Sequence, residues 1–100
     1  MTRLEAIIYA IGRLDEMPKD DITSRVQLSD CHSCFEKGYK ISRVNIFGRN
    51  SIYLIKGDPD EACSYGECLM YVDRDAFDIH EAAVLLDNAY GIYSKRHKNE

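Results

Sequence analysis

Between residues 39 and 56 the chain carries a stretch that only a β-sheet accommodates well. β-branched and aromatic residues dominate 39–47, Gly48-Arg49-Asn50 supplies a short turn, and 51–56 continues in the same manner. Two such runs around a turn predict a β-hairpin. Tyr39 and Ile41 fall on one face, whereas Val44 and Ile46 fall on the other, so a bulge near Ser42-Arg43 is expected to reset the phase. The run Ile52-Tyr53-Leu54-Ile55 is apolar on both faces, as suits a central strand covered on two sides. Gly57-Asp58-Pro59-Asp60 ends that strand, and residues 68–72 read as a third.

Helical periodicity brackets this region. Leu4, Ile7, Ile8, Ile11 and Leu14 recur at helical spacing behind Thr2, a good N-cap, and Pro18 closes the segment. Pro18-Lys19-Asp20-Asp21 reads as a turn that can also cap a short helix, while Val26 and Leu28 fit helix or strand. Ser29 or Asp30 can cap a short helix over 31–37, with Gly38 at the left-handed position beyond its end. Asp78 and Glu81 form a capping box ahead of the stripe Ile79, Ala82, Ala83, Leu86, Ala89, Tyr90 and Tyr93. The expected fold is α+β. A three-stranded antiparallel meander is flanked by an N-terminal and a C-terminal helix, with a short helical segment between the first helix and the sheet. Residues 1–100 are expected to form one domain without internal repeats.

Composition narrows the function classes. A chain of 100 residues buries roughly 65% of its unfolded surface, so a metal or disulfide staple is optional. A net charge of −4 argues against a general nucleic-acid binder, which needs a basic face to displace counterions. The longest apolar run, Ala6 to Ile11, is far short of the about 20 residues that span a bilayer. Acidic Glu5 and the lack of a small-residue cleavage site argue against a secretory signal, so a cytoplasmic, reducing setting is expected.

Four cysteines in two close pairs, Cys31-His32-Ser33-Cys34 and Cys63-Ser64-Tyr65-Gly66-Glu67-Cys68, carry the most chemistry. In a meander both pairs fall at one end of the sheet, which makes Cys31, Cys34, Cys63 and Cys68 a candidate zinc set. The second pair is loosely spaced, and neither pair is followed by the glycine common in zinc knuckles. His32 or His80 could replace one thiol. Small, reduced core or surface thiols are the plainer reading. Redox use rests on Cys-x-x-Cys at a helix N-terminus, where the dipole favours thiolate.

Other groupings are weaker. Cys34 or Cys63 with His80 would make a nucleophilic site, but no local signature supports it. Asp58, Asp60 and Glu61 lack the spacing of a calcium loop. Lys95-Arg96-His97-Lys98 suits a helix C-terminus better than a phosphate contact. Seven tyrosines without a tryptophan give large amphipathic contact area, with Tyr53 and Tyr71 in strands and Tyr90 and Tyr93 on a helix.

In size, acidity and lack of catalytic machinery the chain resembles the small accessory and inhibitor proteins encoded by phages and mobile elements. That resemblance implies a non-enzymatic, cofactor-free protein-binding module, for example an inhibitor of a bacterial defence complex, that occupies a partner's surface. A zinc module contacting nucleic acid and a thiol redox protein are the alternatives.

Overall fold

A computed structural model of the chain describes residues 1–18, 23–57 and 66–98, apart from the side chains of Thr23 and of residues 96–98. The turn expected at residues 19–21, the acidic group at 58–61 and Cys63 lie outside the described residues. The order is α1 (Arg3–Glu16), β1 (Thr23–Gln27), α2 (Leu28–Cys31), β2 (Tyr39–Ile46), β3 (Arg49–Lys56), β4 (Glu67–Asp73) and α3 (Ile79–Lys98). All strand pairs are antiparallel, in the order β1-β2-β3-β4.

The α+β class and both flanking helices agree with the sequence. Thr2 caps α1 through a full capping box with Glu5, and Asp78 accepts from the Glu81 amide at 2.8 Å at the start of α3. α1 buries Ala6, Ile7, Ala10, Ile11 and Leu14, while α3 buries Ala82, Ala83, Leu86 and Tyr90. Both rows meet Tyr39, Ile41, Ile52, Leu54 and Val72 from a single face of the sheet in one core.

The sheet has four strands rather than three. β1 joins β2 at the edge, with Val26 opposite Ile41 and Ser24 opposite Arg43. Ser24 and Val26 are buried while Arg25 is exposed, the period-two pattern of a half-covered strand. With Val26 as its one large inward apolar residue, β1 carries little hydrophobic signal. The short helix also lies earlier than expected, ending at Cys31 instead of starting there.

Two further expectations shift. β2 and β3 pair without interruption, and the irregularity lies between Leu54 and Ile55 against β4. The change of phase in β2 is real but needs no bulge, because Arg43 takes the core-facing position after Ile41. The hairpin turns at Phe47-Gly48 rather than at 48–50, with φ values of 53° and 78° and Ile46 opposite Arg49. Positive φ at both central positions makes a right-twisted two-residue connection.

Arg43 is only 2% exposed. One terminal nitrogen donates to the Leu14 carbonyl at 2.5 Å and the Met17 carbonyl at 3.3 Å. The other donates to the Pro18 carbonyl at 2.8 Å and Ser24 Oγ at 3.3 Å. The last carbonyls of a helix lack intrahelical donors and carry the negative end of its dipole, so a buried cation there satisfies both. Arg43 thus joins the end of α1, β1 and β2 in one contact.

At the opposite end of the sheet, Tyr90 packs edge-on against Phe35 at 5.0 Å and Tyr39 at 4.7 Å between ring centroids. Arg3 lies over Tyr90 and also pairs with Asp87 at 2.6 Å, tying α1 to α3. Lys56 Nζ lies 4.6 Å from the Tyr39 ring centre. Gly38, at φ 96°, meets Gly57 so closely that a Cβ would stand 2.5 Å from the Gly57 carbonyl oxygen, which fixes glycine there.

Two outcomes follow from this packing. Arg43→Ala removes the guanidinium donors from the Met17 and Pro18 carbonyls, leaves the Leu14 carbonyl only the Met17 amide, and opens a cavity, so urea unfolding should show a loss of about 3 kcal/mol or more. The buried Tyr39 hydroxyl has no partner among the described residues, and burial, then Glu36, push its pKa up to about 12. A raised tyrosine pKa gives stability that is complete below the ordinary value near 10 and lost as pH climbs toward 12. Tyr39→Phe should therefore preserve or raise stability at neutral pH and flatten the melting-temperature decline across that alkaline window.

Candidate functional site

The helices cover one face of the sheet, and the other carries the second set of alternating side chains. Facing partners in the register put Ser42, Tyr53 and Tyr71 in one row, and Val44, Ser51 and Asp73 in the next. Lys40 and Ser42 on this face are buried, but exposure increases toward the hairpin. Val44 and Tyr53 are half-buried, Ile46 is 50% exposed, Tyr71 is 66% exposed and Phe47 is fully exposed. The Tyr53 and Tyr71 rings lie 5.6 Å apart, tilted by 30°. With Arg49 they border an open groove of about 710 Å³.

Phe47 is the most unusual member. Left-handed backbone suits glycine, asparagine or aspartate, and a bulky residue there is strained by roughly 1–2 kcal/mol. Here the strained residue is aromatic, at a hairpin tip, with its ring entirely in solvent. Nothing within the fold repays that conformation, which places the phenyl group beyond the end of the sheet.

This surface was only partly legible. The sequence places Tyr53 and Tyr71 in strands, and the two-faced apolar run 52–55 predicts a doubly covered strand. Instead Ile52 and Leu54 face the core, while Tyr53 and Ile55 face away from both helices. Ile46, Phe47 and Arg49 do not read as a group in the sequence, because the turn expected at 48–50 starts one residue past the observed one.

The thiols stand at the other end of the sheet. Cys31 and Cys34 precede β2, and Cys68 pairs with Ile55, itself opposite Lys40 near the start of β2. The expected shared end is therefore observed for these three. They do not gather: among the described residues no group of three or more His, Cys, Asp or Glu side chains could hold a metal ion. Cys31, Cys34 and Cys68 are free thiols. Cys31 Sγ donates to the Gln27 carbonyl at 3.7 Å, Cys68 Sγ to the Met70 carbonyl at 3.7 Å, and the Cys34 amide to His32 Nδ1 at 3.0 Å.

Burial raises the Cys31 pKa above its usual value, with Arg13 opposing the shift only in part. Cys31 also closes α2 rather than opening a helix, so the dipole that would stabilise a thiolate is absent. A redox or nucleophilic thiol needs the reverse. His80 begins α3, just after β4 ends beside the hairpin, whereas Cys34 precedes β2 at the opposite end. These two residues cannot act on one substrate.

Among the described residues no helix is long and apolar enough to cross a membrane. Comparison with protein-family models, curated proteins and solved structures finds no match.

Thiol mapping checks the account of the cysteine end. With iodoacetamide at mildly alkaline pH, exposed Cys34 and Cys68 should be alkylated ahead of Cys31, resolved by peptide mass spectrometry. Cys31 reacting first would contradict its burial and raised pKa.

Proposed function

We propose that the chain is a non-enzymatic protein-binding module of accessory or inhibitor type. It occupies a partner protein's surface with the hairpin end of its open sheet face. The observation that carries this reading is the strip of exposed Ile46, Phe47 and Tyr71 with half-buried Val44 and Tyr53 beside them, across the sheet from the core-facing side. An aromatic-rich apolar centre with a charged edge is the usual anatomy of a protein-binding surface.

The partner this surface fits is a folded protein with an apolar pocket for Phe47 and a carboxylate facing Arg49. Charge supports that choice, since exposed Arg49 borders the apolar groove and Arg25 lies on the same face opposite Ser42. Stacked tyrosines beside an arginine are also how some sheets hold single-stranded nucleic acid. The net charge of −4 weighs against that occupant.

Phe47→Asn separates the hairpin's stability from its contact role. Asparagine suits left-handed backbone, so the variant should unfold at higher temperature, by roughly 0.5–1 kcal/mol of added stability. Binding should weaken by about tenfold or more through loss of the exposed ring. The measurement is stoichiometric recovery of a partner from the native host, repeated with purified partner by calorimetry. Equal binding by Phe47→Asn and by a Tyr53→Ser, Tyr71→Ser double variant would refute this surface. Retention of single-stranded RNA in place of a protein would refute the partner class.

A further inference from the structure

α3 presents a second surface, on the opposite side of the molecule from the open sheet face. It buries Ala82, Ala83, Leu86 and Tyr90 toward the sheet, so the row at Glu81, Asn88, Ile92 and Lys95 points away from the core. All four are exposed, and Ile92, at 59%, is a branched apolar side chain held in water within a polar row. Half-buried Val84 and Leu85 flank that row. With Phe77, His80 and Glu81 they border an open, largely apolar groove of about 290 Å³ near the start of the helix.

A groove and a projecting apolar residue on one helix complement each other when two copies meet about a two-fold axis, because each copy then gives the contact it receives. With the axis at Asn88, an antiparallel pair of α3 helices sets Val84 opposite Ile92 and Glu81 opposite Lys95, each twice. Ile92 of one copy enters the space between Glu81, Val84, Leu85 and Asn88 of the other, the four-residue hole that receives a knob in paired helices. Charge selects this direction. Antiparallel contact brings Lys95 to Glu81, whereas parallel contact would oppose Glu81 to Glu81 and Lys95 to Lys95. Glu81 also has a local reason to take a cation from outside, because the hydrogen bond and like charge of neighbouring Asp78 raise its pKa.

We infer that the chain forms a two-fold dimer through antiparallel contact of α3 with α3 of a second copy. One helix pair makes a small, reversible interface, and Asn88 on the axis fixes a register that another apolar residue would leave free to slide. The contact is independent of the hairpin reading. Because α3 covers the core-facing side of the sheet, the open face of each copy stays free in the dimer. A target with two matching sites would then be held more tightly by the pair than by one copy.

Sedimentation equilibrium of the full chain in low-salt buffer, from about 1 μM to about 1 mM, tests this contact. The average mass should rise with concentration from one chain toward two. Ile92→Gln should weaken association by about tenfold or more and leave the melting temperature near the wild-type value, since Ile92 stands outside the core. Glu81→Lys and Lys95→Glu should each weaken self-association by about tenfold. Mixing those two variants should restore it, because each contact then again joins one carboxylate to one amine. Phe47→Asn should associate like the wild type. A wild type that stays monomeric to about 1 mM would overturn the dimer and leave this row to a different protein. Equal association by Ile92→Gln, or a mixture no stronger than its components, would overturn it too. Association lost in Phe47→Asn but kept in Ile92→Gln would move the self-contact to the hairpin, with the same result.

Discussion

The architecture depends on a buried guanidinium set against the end of a helix. Arg43 occupies a core-facing position in β2 where the pattern begun by Tyr39 and Ile41 would place another apolar side chain. An isolated buried cation is ordinarily too costly to keep. It is tolerated here because α1 ends directly above it, presenting the Leu14, Met17 and Pro18 carbonyls. The helix and the cation each lack what the other supplies. Their contact fixes where α1 stops over the sheet, and Ser24 brings β1 into the same arrangement.

That contact also explains which parts of the fold could be read from sequence. Both long helices were legible because their caps and stripes are local: Thr2 with Glu5, and Asp78 with Glu81, announce the starts. The hairpin was legible from β-branched content. β1 was not, because its pairing depends on Val26 and on a serine turned toward Arg43, so periodicity of hydrophobic residues had almost nothing to detect. In β2 the apolar pattern changes faces, which predicts a bulge. The molecule instead keeps a regular strand and places a cation and an amide where that pattern lapses.

The candidate site was less legible than the fold for a related reason. An apolar residue in a strand announces burial, and sequence alone does not say which apolar row meets the helices. Ile52 and Leu54 differ little in kind from Tyr53 and Ile55, yet only the first pair lies in the core. The cysteines posed the converse problem. Their spacing is conspicuous in sequence, but Cys31, Cys34 and Cys68 share an end of the sheet without sharing a site among the described residues. Topology brought them near one another, and side-chain direction then sent two of the thiols to separate backbone carbonyls.

The two ends of the sheet therefore differ in physical character. At the cysteine end, Phe35, Tyr39 and Tyr90 pack edge to face between Arg3 and Lys56, and the Tyr90 hydroxyl accepts from the Glu36 amide at 3.2 Å. The Tyr39 hydroxyl, without a partner among the described residues, costs stability there. At the hairpin end several local rules fail together: an aromatic residue in left-handed backbone, isoleucine and tyrosine in solvent, and two arginines and an amide left partly unpaired. A natural sequence satisfies local and global preferences almost everywhere, and departures concentrate where something other than folding is selected. Departures of three kinds, conformational, apolar and polar, coincide on the two faces of one hairpin. That coincidence is the ground on which we propose this end as the working part of the molecule, with the aromatic end as its support.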